Sequence, residues 1–256
     1  MAFENLKTYG ELGSIALSTP GGGEVIGAEL HKWLHPDISI SVSPTALDTL
    51  TPEGLRTFSE RVIKNMEFYR DYDPVDVVYL SCTSGSQAGG PGYDRLLCEE
   101  IKKAAHAKAG YTTTTAVLKA LRLVGAKKLS VVTPYPDDVN EMEKEYLEAE
   151  GFTILNIDVI KTSDPRNPNL IAKIPPKTIY EFALEHTDPK AEVLFLSCTG
   201  LLAMEIIEPL EQELGIPVVN SNQSTIWIIG EHFGKHSVKA EHLGSIFKLG
   251  TAVIDK

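Results

Sequence analysis

The segment VVYLSCTSG at residues 77–85 returns as VLFLSCTG at residues 193–200, and this repeat decides the fold. Each copy is a short apolar run followed by Ser-Cys-Thr, so Cys82 and Cys198 occupy equivalent positions. Short runs rich in Val and Leu are typical of the buried strands of a parallel sheet. A repeat of about a hundred residues is too long for a solenoid unit, and it therefore predicts two similar α/β lobes.

Apolar runs alternate with segments of helical period on both sides of the repeat. The first part of the chain includes LGSIALS, GEVIGAELHKWL and ISISVS, and the alternation resumes after residue 115 with AVLKALRLVG, KKLSVVTP and DVNEMEKEYLEAEG. Strands that alternate with helices predict parallel sheets. We therefore expect an α/β fold of two similar parallel-sheet lobes, related by pseudo-twofold symmetry, with the active site in the cleft between them. The first lobe is expected to comprise residues 1–115 and 226–256, and the second lobe residues 116–225.

The composition limits the classes of partner. The chain has 256 residues, and 24 basic against 35 acidic side chains give a net charge of −11, which disfavours nucleic acid and anionic membrane surfaces. No apolar stretch is long enough to cross a bilayer, so we expect a cytoplasmic protein with no membrane partner. The three cysteines form neither a disulfide framework nor a C-x-x-C metal motif, and we expect free thiols.

Cys82 and Cys198 are candidate catalytic residues because each follows the end of a predicted buried strand. Ligands of open parallel sheets bind outside the carboxyl ends of the strands, so both cysteines can face one cleft. Backbone N–H groups and the dipole of a following helix lower the pKa of a thiol, and we expect reactive thiolates here. The alternative for any cysteine is a small buried apolar side chain, and we assign that structural part to Cys98, inside the helical segment LLCEEIKKAA.

Hydroxyl groups beside the two thiols suit a carboxylate ligand. Thr83, Ser84 and Thr199 supply donors, and the turn amides after each cysteine can form an anion-binding nest. The alternative is that these hydroxyls only cap the following helices. Tyr135, which follows the strand KKLSVVTP, either aims its phenol into the same cleft or is an ordinary surface tyrosine.

A glycine-rich loop follows the first strand in STPGGGEVIG, residues 18–27. It loosely matches a dinucleotide fingerprint, but the second strand ends without the acidic residue that would hold a ribose, so we expect no nicotinamide cofactor. Ser18 and Thr19 can instead bind a carboxylate at the N-terminus of the following helix. His31 and His35 have the spacing of a metal pair, but HKWLH lacks the glutamate of zinc proteases, so we expect no metal.

Three further segments resemble a known superfamily. TPEGL at residues 51–55, the segment from TTTAVLKALRLVG to YLEAEGF at 113–152, and SCTGLLAMEIIEPLEQELGIPVVNSN at 197–222 resemble the aspartate/glutamate racemase superfamily. Within it the chain resembles the branch of maleate cis–trans isomerases and arylmalonate decarboxylases, and the middle segment is most similar to the decarboxylases. The resemblance implies an enzyme that works without a cofactor in a cleft between two α/β lobes.

The resemblance also implies roles for single residues. The decarboxylases have a glycine at the position of Cys82, whereas the isomerases and racemases have both cysteines, as this chain does. The loop Ser18-Thr19-Pro20-Gly21 replaces the Ser-Ser-Asn-Thr-like loop of the maleate isomerases, and this departure weighs against maleate itself. The dioxyanion hole that holds one substrate carboxylate in the decarboxylases corresponds to Thr83, Ser84 and Tyr135, with the backbone around Thr199 and Gly200.

We therefore expect a cofactor-independent isomerase or racemase that acts on a small carboxylate or dicarboxylate. In a racemase one thiolate removes a proton and the other thiol returns one; in a cis–trans isomerase Cys82 adds to the double bond and Cys198 serves as acid and then base. An arylmalonate-type decarboxylase is the first alternative, and a carboxylate-binding protein without turnover is the second. The expected partner is a small carboxylate substrate, and a homodimer is a candidate assembly.

Overall fold

The structure is a computed structural model that describes residues 9–21, 23–71 and 75–249. The strands are β1 Gly13–Pro20, β2 Ile38–Thr45, β3 Val77–Leu80, β4 Ala109–Thr112, β5 Lys128–Thr133, β6 Thr153–Val159, β7 Val193–Leu196 and β8 Val218–Asn220. The α-helices are α1 Glu24–Trp33, α2 Pro52–Met66, α3 Tyr93–Ala105, α4 Thr113–Leu123, α5 Asp137–Ala149, α6 Pro176–His186, α7 Ile207–Leu214 and α8 Ser221–Phe233. No helix among these residues is long and apolar enough to cross a membrane.

The strands form two parallel sheets with the same topology. The first sheet has the order β2-β1-β3-β4 and the second the order β6-β5-β7-β8, and every strand pair is parallel. Each strand of the first sheet thus has a counterpart in the second. The expected fold of two similar parallel α/β lobes is confirmed.

The repeated segment supplies the inner strands β3 and β7. All residues of both strands are buried, because each lies inside its sheet with a strand on either side. The sequence did not reveal β4, whose residues AGYT carry a glycine and only one strongly β-forming side chain besides Thr112. Gly110 is required there, since a Cβ atom would stand 2.2 Å from the backbone oxygen of Cys98.

Helices α4 and α8 pack against each other and begin in equivalent ways. The Thr112 side chain accepts the N–H of Thr115 at 3.1 Å, and the Asn220 side chain accepts the N–H of Asn222 at 2.9 Å. Such capping satisfies backbone donors that the first helical turn leaves free. The lobe boundaries expected at residues 115/116 and 225/226 fall inside these two helices, and the division of the chain stays a prediction.

Candidate active site

The strand order reverses at one point in each sheet, between β1 and β3 and between β5 and β7. Ser81 donates its N–H to the carbonyl of Ser18 at 2.8 Å, and Ser197 donates to the carbonyl of Val132 at 3.0 Å. Cys82 and Cys198 each follow these serines, so the two thiols leave their sheets at equivalent switch points. Crevices at such points are where open α/β sheets bind ligands.

Both thiols line a single cavity of about 240 Å³. Segments that follow strands of both sheets contribute to it, and seven of the nine site residues expected from the sequence are among its lining: Thr19, Cys82, Ser84, Tyr135, Cys198, Thr199 and Gly200. The remaining lining is contributed by the loops after β1 and β2, the start of α1 and the segment before α6: Pro20, Gly21, Gly23, Glu24, Val25, Ile26, Leu47, Leu50, Pro168, Asn169, Ile171, Ala172 and Lys173.

The structure does not bring Ser18 and Thr83 to the cavity lining. Both side chains are fully buried. The Ser18 hydroxyl shares a hydrogen bond of 2.7 Å with the Thr45 hydroxyl, and the Thr83 hydroxyl shares one of 2.8 Å with the Ser221 hydroxyl. These two hydroxyls therefore hold neighbouring segments of the protein together, which accounts for residues of this type at strand ends without a ligand contact.

The two thiols have matching backbone partners. Gly85 donates its N–H to Sγ of Cys82 at 3.3 Å, and Gly200 donates its N–H to Sγ of Cys198 at 3.3 Å. Ser84 adds a longer side-chain contact of 3.9 Å to the Cys82 sulfur. Hydrogen bonds of this kind stabilise a thiolate relative to a thiol, since the charged form is the better acceptor.

Burial outweighs these hydrogen bonds at both thiols. Desolvation raises the pKa of Cys82 to about 12 and that of Cys198 to about 11. The expectation of thiolates with a lowered pKa is therefore wrong. Its premise was a helix directly behind each cysteine, but only the 3₁₀ turn Gly85–Gln87 follows Cys82, and α7 begins as late as Ile207. Neither cysteine is therefore followed directly by the α-helix on which that expectation depended.

Tyr135 is buried and lies at the cavity, which decides between the two alternatives left open by the sequence. Its N–H donates to Oγ1 of Thr133 at 3.2 Å, and the Asn140 side-chain amide donates to its carbonyl at 3.1 Å, so the loop before α5 is fixed. The Tyr135 side chain lowers the pKa of the Cys198 thiol, against the larger effect of burial. Its own pKa is raised well above the ordinary value, chiefly by burial, so it is a donor at neutral pH.

The segment before α6 covers the cavity, and the sequence did not indicate this. Its 3₁₀ turn Pro168–Lys173 contributes five lining residues. Leu50 and Arg166 fasten this segment to the first lobe, because the Leu50 N–H donates to the Arg166 carbonyl at 3.1 Å and Nη1 of Arg166 donates to the Leu50 carbonyl at 2.7 Å. Contacts between positions so far apart leave no local pattern in the sequence.

Ser221 links the two cysteine-bearing segments and was also missed. Its hydroxyl accepts the N–H of Cys198 at 3.1 Å and bonds to the Thr83 hydroxyl at 2.8 Å. Next to it, the Asn222 side chain donates to the carbonyl of Thr199 at 3.0 Å and to the carboxylate of Glu29 at 2.5 Å. The cluster NSNQST in the sequence was the available signal, since buried polar side chains at a helix start need partners.

Cys98 and the histidine pair lie outside the cavity lining. Cys98 is buried within α3 and its sulfur is 3.4 Å from Oγ1 of Thr115. His31 bonds through Nδ1 to the carbonyl of Gly27 at 2.8 Å, and His35 is 3.7 Å from Asp37. Among the described residues there is no group of three or more His, Cys, Asp or Glu side chains that could hold a metal ion.

Comparison with known proteins identifies relatives across most of the chain. A family model described as arylmalonate decarboxylase matches residues 16–247. The arylmalonate decarboxylase of Bordetella bronchiseptica is 29% identical over 221 residues, which are 84% of this chain and 88% of that protein. The maleate isomerase of Nocardia farcinica is 26% identical over 216 residues, which are 81% of this chain and 84% of that protein.

Solved structures share the fold. A double variant of arylmalonate decarboxylase in its liganded form matches with a TM-score of 0.82 at 25% identity, covering 93% of this chain and 100% of that one. A cysteine-to-serine variant of the Nocardia farcinica maleate cis–trans isomerase, with a covalently bound succinylcysteine intermediate, matches with a TM-score of 0.81 at 22% identity, covering 93% and 99%. These relatives are enzymes and confirm the resemblance found in the sequence. The chain belongs to the arylmalonate decarboxylase family.

Proposed function

We propose that the protein is a cofactor-independent isomerase or racemase that moves a proton on the carbon next to a carboxylate. The observation that carries this proposal is that two thiols, Cys82 from the first sheet and Cys198 from the second, line one cavity. Two thiols held by opposite lobes can remove a proton from one face of a carbon and return one to the other face. A protein that only binds carboxylates has no need of a thiol on each side.

The proton transfer passes through an enediolate, whose negative charge spreads over the carboxylate oxygens. Ser84, Tyr135 and the backbone at Thr199 and Gly200 line the same cavity and can donate to these oxygens. One well-aimed donor contributes about 3–4 kcal/mol of transition-state stabilisation. The base thiolate takes the proton, the electron pair of the C–H bond enters the enediolate, and the other thiol then protonates the opposite face. The two thiols thereby exchange protonation states in each turnover.

The apolar part of the cavity favours a substrate with an apolar group beside its carboxylate. Lys173 is the only cationic side chain among the described lining residues, and it is 68% exposed and 3.4 Å from Glu24. A second carboxylate against the apolar wall would lose hydration without gaining a partner, which is costly. We therefore favour an α-aryl or α-alkyl carboxylate over maleate, because the wall consists of Val25, Ile26, Leu47, Leu50 and Ile171.

A cis–trans isomerisation would use the same two thiols. The Cys82 thiolate would add to the double bond, and Cys198 would protonate the resulting carbanion, which leaves a single bond free to rotate. Cys198 would then remove the proton again as the C–S bond breaks and the double bond re-forms. The covalently bound succinylcysteine in the Nocardia farcinica variant supports this route.

Decarboxylation of an arylmalonate is the second candidate function. The family match and the 29% identity to a decarboxylase favour it. The bond to the departing carboxylate breaks, its electron pair enters the enediolate, and the Cys198 thiol protonates the α-carbon. Cys198 then regains a proton from water. Cys82 weighs against this function, since a second proton donor would give product of both configurations.

A panel of three substrates in deuterium oxide separates these functions. Maleate, phenylmalonate and one enantiomer of 2-phenylpropanoate are incubated with the protein and with the Cys198→Ala variant, while isomer, carbon dioxide, chirality and α-deuterium are measured. We expect loss of configuration with deuterium uptake from 2-phenylpropanoate, and none of it with the variant. Carbon dioxide release from phenylmalonate without racemisation would make the decarboxylase the correct function. Binding of the acids without any turnover would leave only a carboxylate-binding protein.

Two further expectations stay predictions beside this function. One is a homodimer and the other is a cytoplasmic location. Sedimentation of the purified protein and fractionation of cells test them. Neither affects the chemistry proposed for the cavity.

A further inference from the structure

A buried glutamate connects the two cysteine-bearing segments and has no part in the reaction described above. Glu143 lies on α5 and is fully buried. Its Oε1 accepts a hydrogen bond from Oγ of Ser197 at 2.6 Å and another from Nε2 of Gln87 at 3.2 Å. Ser197 directly precedes Cys198, and Gln87 ends the 3₁₀ turn that follows Cys82. One carboxyl group therefore ties the segments of both thiols to the same helix.

The hydrogen-bonded cluster of Glu143, Gln87 and Ser197 contains two acceptor atoms without a hydrogen-bond donor among the described residues. Oε2 of Glu143 and Oε1 of Gln87 are buried and have no hydrogen-bond partner within the described part of the chain. A carboxylate with one unpaired, buried oxygen is poorly stabilised as an anion. Burial raises the pKa of Glu143 to about 7, in spite of the two hydrogen bonds that oppose the shift. Its charge therefore changes within the neutral range.

The charge of Glu143 reaches both thiols. When ionised, it raises the pKa of Cys82 and of Cys198, and it acts in the same direction on Tyr135. Two thiols and a phenol are thus the titratable groups that face this carboxyl group, and none of them supplies a compensating positive charge. An anion beside a thiol opposes formation of the thiolate.

Four acidic groups on or against α5 have partners other than Glu143. Asp158 on β6 is 3.5 Å from His186, and Asp94 on α3 accepts the hydroxyl of Tyr146 at 2.5 Å. At the two ends of α5, Asp138 pairs with Arg166, and Glu150 pairs with Arg95 and Arg122. The residues that α2 buries are apolar apart from a serine: Leu55, Phe58, Ser59, Val62 and Met66.

We propose that Glu143 is a positioning residue for the two-thiol reaction: its carboxyl group holds the segments of Cys82 and Cys198 in one arrangement, and its charge opposes ionisation of both thiols. This inference rests on the proposed function, because positioning has a purpose only if the thiols react. Protonated Glu143 leaves the thiols free to ionise. Ionised Glu143 opposes ionisation of both thiols. Their thiolate fraction therefore increases less steeply with pH than that of an isolated thiol.

Alkylation of the thiols tests the electrostatic part in the absence of substrate. The wild type, Glu143→Gln and Glu145→Gln are treated with iodoacetamide from about pH 6 to about pH 9, and modification of each cysteine is measured by peptide mass spectrometry. Glu145 is exposed on the same helix, so its replacement removes the same charge away from the cluster. Cys98, outside the cavity, is the internal reference.

We expect the wild-type profiles of Cys82 and Cys198 to break near pH 7, the value about which Glu143 ionises. In Glu143→Gln the break should vanish, and above neutrality the alkylation rate of both thiols should be on the order of tenfold higher. Glu145→Gln and the rate at Cys98 should match the wild type. Identical profiles for the wild type and Glu143→Gln would overturn the proposal; if that variant does not fold, a wild-type profile without a break overturns it.

Glu143→Asp tests the positioning part with substrate. Aspartate keeps the charge but is one methylene too short to reach Ser197 and Gln87 together. We expect the break in alkylation to persist while kcat falls about tenfold and KM changes little. A kcat equal to that of the wild type would remove the positioning role. Because alkylation requires no turnover, its failure is distinguishable from absence of the proposed racemase or isomerase activity.

Discussion

The loops that follow β1 and β5 occupy equivalent places in the two lobes but end differently. Strand register aligns Thr19-Pro20-Gly21 with Thr133-Pro134-Tyr135. Gly21 has a positive φ of 61°, and both Gly21 and Tyr135 line the cavity. The second lobe therefore contributes a buried phenol where the first contributes only backbone and space. Under the proposed function, the phenol can donate to the substrate carboxylate, and the space at Gly21 can accept part of an apolar substituent.

The two thiols also differ in whether they contact the Tyr135 phenol. Each accepts one N–H from a glycine at 3.3 Å, but only Cys198 is also stabilised by the Tyr135 phenol. The pKa of Cys198 is raised to about 11 and that of Cys82 to about 12. The Tyr135 phenol thus favours the thiolate form of Cys198, a contribution that Cys82 lacks. Turnover should increase with pH from neutrality upward, because both pKa values lie above that range.

Removal of either thiol should have the largest effect. Cys82→Ala and Cys198→Ala should each lower kcat for racemisation by about 10²–10⁴-fold, because a proton relay needs both members. Steady-state polarimetry measures this, with circular dichroism to verify folding. A decrease in kcat for Cys198→Ala but not for Cys82→Ala would show that the two lobes are not equivalent in the chemistry, and that Cys82 is structural.

Replacement of the phenol should have the next largest effect. Tyr135→Phe removes a donor to the enediolate and the contact that favours the Cys198 thiolate, so kcat should fall about 10²-fold. Alkylation of Cys198 should slow in the same variant, whereas alkylation of Cys82 should change little. Equal slowing of alkylation at Cys198 and Cys82 would contradict the assignment of the phenol to Cys198 alone.

The sequence predicted the fold well because the determinants of the fold are local. Alternating apolar runs, helical periods and the repeated Ser-Cys-Thr phrase predicted both sheets, and they placed Cys82, Cys198 and Tyr135 at strand ends. Failures came from features that are set by tertiary contacts. The pKa of the thiols depends on burial, which composition does not reveal.

The surroundings of three other residues also depend on tertiary contacts. The hydroxyls of Ser18 and Thr83 have the right type and position for ligand binding, yet buried partners on distant segments, Thr45 and Ser221, engage them. Likewise, Glu143 occupies an ordinary amphipathic helix in the sequence, and only packing places it between the two thiol-bearing segments.

Each lobe also holds a glutamate whose pKa burial raises, Glu29 on α1 to about 8 and Glu143 on α5 to about 7. A carboxyl group with a raised pKa in the folded state contributes stability below its unfolded pKa, and this is lost as pH rises through the folded value. The free energy of unfolding should therefore fall between about pH 4.5 and pH 8. Glu143→Gln should remove up to about 3 kcal/mol of that fall.

Urea unfolding at several pH values measures this dependence. Glu29 is only half-buried by surface exposure, so solvent screening should make its contribution smaller than that of Glu143. Glu145→Gln is the control, since its side chain is exposed on the same helix as Glu143. A wild-type stability that stays constant or increases over this range would contradict the assignment.

The smallest effect is expected at the cysteine outside the cavity. Cys98→Ala loses a contact of 3.4 Å to Thr115 and some packing in α3, so stability should fall by about 1 kcal/mol. Its kcat and KM should equal those of the wild type. A loss of activity comparable to that of Cys82→Ala would remove the distinction between the repeated cysteines and the third.

Hydrogen exchange at the α-carbon tests the two-thiol relay most directly. Each enantiomer of 2-phenylpropanoate is incubated separately in deuterium oxide with the wild type and with Cys82→Gly, and both α-deuterium and optical rotation are followed. In the wild type deuterium uptake and loss of configuration should proceed together, because each thiol serves one face. In Cys82→Gly, the enantiomer whose α-hydrogen faces Cys198 should still exchange, with retained configuration, whereas the other enantiomer should not exchange. Racemisation by Cys82→Gly at the wild-type rate would contradict a relay of two thiols.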